Sequence, residues 1–337
     1  MGMTLSVRSP DELIAVIPHL LGFQPEESLV FVPMGSDLPV ARVDIPTTPR
    51  DQEQVWQSLR DGLSRYAQPG AAIGIVCFTA ERATAELMGH EFADRLDTIG
   101  IDTRVSLWAD QSRWANLNTG DMGLQTEDVR ERLAAVTVLA GRAQPARNRE
   151  SLSTSLVGHR EPVANLLPET REAVRQNSAQ IEGRWALSRI HRFHRDGERL
   201  SDPDAARLLV DLDSISIRDR LWLDMTRDNA ASHVSLWTDM TKRAPDEVRA
   251  APASLLAFGS WLSGHGAMAW CALDQVPDDR PYALAGLVAS AVQTGMHPRE
   301  WEAVSSAPST RGADLDADFT RRLPIQQASP VLPAHGL

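Results

Sequence analysis

Two histidines, His191 and His194, lie three residues apart in a segment that has helical spacing. Residues three apart share one face of a helix, so both imidazoles would point the same way. Imidazole nitrogens bind zinc, but a zinc site needs at least three protein ligands. Asp196 and Glu198 follow closely, but on the same helix they would be poorly placed to reach that face. No third ligand is evident, and the sequence therefore predicts neither a metal site nor a bound cofactor.

The same segment is the most basic stretch of a chain whose net charge is −11. It contains Arg184, Arg189, Arg192, Arg195 and Arg199. In one interpretation these arginines form a solvated face held by intramolecular ion pairs. In the other, Arg189, Arg192 and Arg195 contact an acidic partner or a nucleic acid. The acidic balance of the whole chain disfavours nucleic acid, because binding to phosphates depends on positive charge.

A second set of polar residues lies near the ends of predicted strands. Arg42 and Asp44 are two residues apart, so they lie on the same face of a strand. Glu26, Ser28 and Arg113 complete this set of candidate catalytic residues, since ligand sites in layered α/β folds often lie at strand ends. The alternative is that Arg42 and Asp44 form an ordinary ion pair and that Ser28 only bonds the local backbone.

Composition excludes several classes of protein. The two cysteines, Cys77 and Cys271, are too few and too far apart for a disulfide framework or a four-cysteine zinc site. Lys242 is the only lysine and lies outside any glycine-rich loop, which excludes a phosphate-loop lysine. No apolar run approaches the roughly 20 residues needed to span a bilayer. The N-terminus does not read as a signal peptide, so we expect a cytoplasmic protein without membrane contact.

Strands that alternate with helices predict a layered α/β sheet, at least partly parallel, over residues 1–145. Ser9 and Pro10 begin the first helix and Gly22 ends it. The strands are predicted at 28–32 and 40–45, which form a hairpin, and at 71–78 and 103–108. The later helices of this domain are predicted at 55–66, 80–99 and 124–141.

Residues 146–168 are rich in Arg, Ser, Pro and Asn and are predicted to be a linker. Beyond them no convincing strand appears. Helices are predicted at 168–180, 183–196, 203–211, 216–226, 230–242, 252–264, 266–276 and 281–295. We therefore expect an all-α helical domain over 169–304, followed by a loosely ordered tail at 305–337.

The segment 252–295 carries a pattern of small residues and a proline that resembles a tetratricopeptide-like helical hairpin. The pattern consists of Leu256, Ala257, Ala269, Leu273 and Pro281. A tight helix pair, in which small side chains allow close approach, explains the pattern equally well. Both interpretations place Trp261 and Trp270 at positions for packing or for contact with a partner.

The N-terminal motif Leu20-Leu21-Gly22-Phe23, followed by Pro25 and by Ser28-Leu29-Val30, resembles an actinobacterial family, the domain of unknown function 4192. The run 42–46 and the run 261–267 are similar to the same family in the same order. Relatives often carry a cysteine-rich segment after an Arg-Trp pair, whereas residues 115–123 of this chain contain no cysteine. The resemblance implies no activity, because the family is defined without one.

These observations lead to one main hypothesis and two alternatives. The main hypothesis is a non-enzymatic binding or regulatory protein that acts through protein–protein contacts of its helical domain, with a homo-oligomer as one form. The first alternative is an enzyme whose site lies at the strand ends near Asp44 and Arg113. The second is nucleic-acid binding through the arginine-rich helix at 184–199.

Overall fold

A computed structural model of the chain describes residues 7–35, 38–139, 144–279 and 281–301. The chain divides into two compact units. Of the described residues, the first contains those up to Arg149 together with Gln293–Met296, and the second contains Glu150–Val292 and those from His297 to Trp301. The predicted tail at 305–337 lies outside the described residues.

The first unit is an α/β layered structure, as predicted. Its helices are α1 (Pro10–Leu21), α2 (Pro49–Tyr66), α3 (Arg82–Asp97) and α4 (Glu127–Leu139). Its strands are β1 (Ser28–Pro33), β2 (Ala41–Asp44), β3 (Ala72–Phe78), β4 (Asp102–Ala109), β5 (Arg113–Asn116) and β6 (Met122–Leu124). They form one sheet in the order β2-β1-β3-β4-β5-β6. Only β3 and β4 are parallel; β1 pairs antiparallel with both β2 and β3, which confirms the predicted hairpin.

Burial in this unit follows from the apolar strands. Every residue of β3 is buried, since helices cover both faces of the sheet. On one face Trp56 of α2 and Phe92 of α3 belong to the core cluster. On the other face Leu13 of α1 approaches Gly74, where an added Cβ would lie 3.6 Å from the leucine Cδ2 and 3.1 Å from Val105. A small residue in the middle of β3 therefore lets α1 pack closely on the sheet.

The second unit is helical throughout its described residues. Its helices are α5 (Arg149–Thr154), α6 (Glu161–Arg175), α7 (Ala179–Asp196), α8 (Asp202–Asp211), α9 (Ile215–Leu223), α10 (Ala230–Arg243), α11 (Asp246–Leu262), α12 (Gly266–Leu273) and α13 (Ala283–Gln293). The closest packing joins α6 to α8, α10 to α11 and α11 to α12. No helix in the described part of the chain has the length and apolarity to cross a bilayer.

Prolines account for two differences from the predicted helices. The segment predicted as a linker, 146–168, holds α5 and the first half of α6. Pro162 lies in the first turn of α6, where proline favours a helix start because that N–H needs no partner. The helix predicted from residue 252 begins six residues earlier, at Asp246, and Pro252 lies within it. Proline usually ends a helix, so the sequence pattern placed that start too late.

An aromatic cluster forms the core of the second unit. Trp222 and Trp301 stack with ring centroids 5.0 Å apart, and Phe258 meets both rings edge-on. The Trp301 indole donates a hydrogen bond to the carbonyl of Met225 at 3.3 Å. Trp261 is only 4% exposed and packs against Phe258, so it lies in the core rather than on a surface for a partner.

The same unit buries a pair of carboxyl groups. Glu182 accepts hydrogen bonds from Asn177 at 2.6 Å and from Arg207 at 2.9 Å, and these outweigh the effect of burial and lower its pKa. Burial and the neighbouring charge of Glu182 raise the pKa of Asp211 to about 8. At neutral pH Asp211 therefore remains protonated beside the ionised carboxylate of Glu182.

This pair predicts how stability changes with pH. A folded-state pKa of about 8, raised from 3.8 for Asp211, means that the folded chain holds a proton that the unfolded chain has lost. The contribution of Asp211 to the free energy of unfolding is largest below pH 4. It falls as the pH rises through 8. Asp211→Asn keeps an uncharged side chain of nearly the same shape and removes the titration. Between pH 5 and pH 9, urea denaturation should show wild type losing about 4 kcal/mol of stability relative to the variant, because each of the three pH units up to the folded pKa of about 8 contributes about 1.4 kcal/mol. Parallel pH curves for the two proteins would contradict this assignment.

Candidate functional site

The predicted strand-end residues meet at one edge of the sheet, except for Arg113. Ser28, the first residue of β1, pairs with Asp44, the last residue of β2. Arg42 bridges them: its Nη2 lies 2.5 Å from an Asp44 oxygen, and its Nε and Nη2 donate to Ser28 Oγ at 2.9 and 2.6 Å. Ser28 Oγ in turn donates to the carbonyl of Glu26 at 2.5 Å. These polar groups thus bond to one another and to the backbone.

Glu27 is a residue of this edge that the sequence analysis missed. Its carboxylate accepts hydrogen bonds from Thr79 Oγ1 at 2.9 and 3.0 Å, and its φ is +40°, in the left-handed region. Arg113 lies at the start of β5, where it forms an ion pair with Asp110 at 2.7 Å and lies 5.6 Å from the Trp108 ring. The structure therefore gives Arg113 its own partners, separate from the Arg42–Asp44 pair.

Two of the four arginines of α7 form ion pairs within the chain. Arg189 is 10% exposed and contacts Asp204 at 2.9 Å, while Arg195 contacts its neighbour Asp196 at 2.8 Å. Arg192 is exposed, and Trp270, the other partner-binding candidate, is partly exposed. These ion pairs support the interpretation of α7 as a solvated basic face.

The strongest arrangement of chemical groups is a cluster in the second unit that joins His194, Asp224 and His233. His194 comes from α7, Asp224 caps the C-terminus of α9, and His233 lies in the second turn of α10. One ligand atom of each residue lies within 4.8 Å of the others. The two Nε2 atoms are 3.1 Å apart, and His233 Nε2 lies 3.6 Å from Asp224 Oδ2.

Local structure fixes each of these three side chains. Two buried residues that precede His194 in the helix, Ile190 and Phe193, anchor this part of α7. The short connection from α9 to α10 is closed by Asn229, which donates to the carbonyl of Asp224 at 2.8 Å and accepts from the N–H of Thr226 at 2.7 Å. His233 is fully buried, and Trp237, one turn later, is buried beside it.

The charges of the cluster suit cation binding. Burial, followed by the neighbouring His233, lowers the pKa of His194 to about 4, so its imidazole is neutral at physiological pH. Interactions with His233 and His191 lower the pKa of Asp224 to about 2, so its carboxylate is ionised. Asp224 Oδ1 contacts His191 Nε2 at 3.0 Å. Asp224 Oδ2 is buried, and its contact with His233 Nε2 is 3.6 Å long, beyond normal hydrogen-bond distance.

The geometry fits a tetrahedral metal ion. Zn–N bonds of this class place two ligand nitrogens about 3.3 Å apart, close to the 3.1 Å between the two imidazoles. The buried Asp224 Oδ2 is the third donor. His191 contacts the other carboxylate oxygen of Asp224, Oδ1. Groups in this position usually orient a metal ligand. Two imidazoles and one carboxylate leave one coordination position open for water or another small ligand.

Sequence analysis identified His194 but not its partners, because they lie on other helices. Asp224 and His233 follow His194 by 30 and 39 residues, and no spacing rule links them to it. The i, i+3 spacing of His191 and His194 correctly indicated the face of α7 that carries the cluster. His191 contacts Asp224, however, and not the other imidazoles. A search that placed helix ends and neighbouring helix starts together would have brought Asp224 and His233 into consideration.

Comparisons with known proteins support a family but no activity. A family model for a domain of unknown function, DUF4192, matches residues 10–299. No curated protein and no solved structure matches the chain. The matched segment contains most of both units, including the sheet edge and the histidine cluster. The chain therefore belongs to the DUF4192 family, as the motifs of its N-terminal segment indicated.

Proposed function

We propose that this protein binds a divalent transition metal, best matched by Zn²⁺, in its helical unit. The ligands are His194 Nε2, His233 Nε2 and Asp224 Oδ2. The observation that carries the proposal is the convergence of these three donor atoms from three separate helical segments. The buried Asp224 Oδ2 supports it, because its contact with His233 Nε2 is long, at 3.6 Å, and a bound cation would lie much closer to this oxygen.

The types of donor atom in the cluster indicate which metals the site would bind. Calcium and magnesium take oxygen ligands, whereas this cluster offers two imidazole nitrogens and one carboxylate. Imidazole suits zinc, copper, iron and nickel, and the near-tetrahedral spacing favours zinc among them. With three protein ligands, the metal would retain a position for an exchangeable ligand. The helical unit would then bind an anion or another lone-pair donor as the fourth ligand of the metal.

Equilibrium dialysis of untagged protein, followed by elemental analysis, tests this proposal. We expect one zinc ion per wild-type chain, with little uptake of magnesium. His194→Ala should weaken zinc binding at least about 100-fold, because loss of a ligand costs more than loss of an orienting residue. His159→Ala is the matched control, since His159 is an exposed histidine of the same unit, and it should bind zinc like wild type. Equal zinc uptake by all three proteins, or none by wild type, would overturn the proposal.

We also propose that the protein acts in a reducing cytoplasm and that its helical unit has a protein partner. Cys77 and Cys271 are buried and form no disulfide, which is typical of that compartment. The support for a partner is a group of large apolar side chains of this unit that are more than a third exposed: Val157, Ile181, Ile215 and Leu223. Native mass spectrometry of the untagged protein from its host tests this proposal, and it also reports whether the chain forms a homo-oligomer.

A further inference from the structure

We infer that Trp237 restrains metal binding by fixing the tautomer of His233, an inference that rests on the proposed metal site. The Trp237 indole Nε1 donates to His233 Nδ1 at 3.3 Å, and the two rings are nearly parallel, at 15°. An indole N–H can only donate, so His233 Nδ1 must carry a lone pair. The proton of the neutral His233 ring therefore lies on Nε2, which is the atom that faces the cluster.

This assignment fixes the second histidine as well. His233 Nε2–H lies 3.1 Å from His194 Nε2, which accepts it. The proton of His194 is then on Nδ1, where it donates to Ser232 Oγ at 2.6 Å. The metal-free chain thus holds a continuous series of hydrogen bonds from Trp237 through His233 and His194 to Ser232. In this series His194 donates to Ser232, so it is not placed to act as a base toward that hydroxyl.

The two histidines consequently differ as ligands. His194 has its Nε2 lone pair directed into the cluster and its Nδ1–H satisfied by Ser232, which is the usual arrangement of a metal-bound histidine. His233 has the opposite arrangement, because its Nδ1 faces a hydrogen-bond donor, the indole N–H of Trp237. When His233 binds a metal through Nε2, its ring proton moves by way of solvent from Nε2 to Nδ1. The ring stays neutral, and the hydrogen bond from Trp237 is lost.

Trp237 is therefore a positioning residue that lowers the affinity of the site for every metal. Only an ion with high affinity for imidazole compensates for the broken hydrogen bond, and affinity for such sites rises from Mn²⁺ toward Cu²⁺ and Zn²⁺. Weakly binding ions leave the Trp237–His233 bond intact and remain outside. The groups around His233 that enter this argument are Trp237 on its own helix, His194 on α7 and Asp224 at the end of α9.

The Trp237→Phe substitution removes the indole donor and tests the inference by the sign of its effect. We expect zinc to bind the variant roughly tenfold more tightly than wild type, measured by competition with a chromophoric chelator. If Trp237 only supported the packing of α10, the substitution would loosen the site and weaken binding. Trp185→Phe is the control for loss of a tryptophan, because Trp185 stacks on Arg207 instead, and its zinc affinity should not change.

A measurement on the wild-type protein keeps the test independent of the variant's folding. Nitrogen-15 NMR of the histidine rings should place the His233 proton on Nε2 without metal and on Nδ1 with zinc. Proton attachment at Nδ1 in the metal-free protein would overturn the inference. A zinc affinity that is unchanged or weaker in Trp237→Phe than in wild type would also overturn the inference. The proposed metal site itself would then stand. Absence of zinc binding in both proteins would instead overturn the proposed function.

Discussion

Zinc at a free concentration one hundred times its dissociation constant is expected to raise the free energy of unfolding by about 2.7 kcal/mol. The ligands come from α7, from the end of α9 and from α10, and the unfolded chain does not hold them together. Zinc therefore binds the folded unit in preference to the unfolded chain. For a unit of this size the thermal midpoint should rise by about 5–10 °C, measured by differential scanning calorimetry.

The His194→Ala variant provides the contrast for this experiment. It should show no rise in its midpoint on addition of zinc, because it lacks the imidazole with the best-placed lone pair. His159→Ala should show the full rise. A rise of equal size in His194→Ala would locate zinc elsewhere on the chain and contradict the site.

Substitution of Arg243 by alanine is expected to lower the free energy of unfolding by about 2–3 kcal/mol. The Arg243 side chain is 4% exposed, and it donates to the carbonyl of Leu200 at 3.0 Å. It also contacts Asp202 at 3.1 Å and forms an ion pair with Asp239. Its loss would leave the Leu200 carbonyl without this donor and Asp202 without this cation, whereas Asp239 would keep Arg199. Urea denaturation, compared with wild type at one pH, measures this effect.

Arg199 is a matched control for Arg243, because both side chains contact Asp239. The Arg199 side chain is 67% exposed, so Arg199→Ala should lower the free energy of unfolding by less than about 1 kcal/mol. The two variants remove the same chemical group from the same carboxylate, but only Arg243 is buried and also contacts Leu200 and Asp202. Similar losses of stability in the two proteins would contradict the role assigned to burial.

Elements with strong local signals were predicted well from the sequence. The apolar run that forms β3 and the proline–glycine boundaries of α1 specify their own conformations, and the structure has both. The two-residue spacing of Arg42 and Asp44 predicted a shared strand face, and the structure joins them in an ion pair. In each case the information lies within a few neighbouring residues.

Features that depend on distant segments were missed. The strands β5 and β6 are only 4 and 3 residues long, and they exist because each pairs with its neighbour at the edge of the sheet. The histidine cluster depends on how α7, α9 and α10 pack, which no local spacing records. Tertiary packing therefore determines the candidate site more than sequence pattern does.

The central claim is that two imidazoles and one carboxylate of the helical unit bind one metal ion. X-ray absorption at the zinc edge, on wild-type protein loaded with one equivalent of zinc, tests it most directly. The claim predicts a first shell of nitrogen and oxygen at about 2.0–2.1 Å, with the outer-shell scattering of two imidazoles and no sulfur. A six-oxygen shell without imidazole scattering, or a shell that contains sulfur, would contradict it.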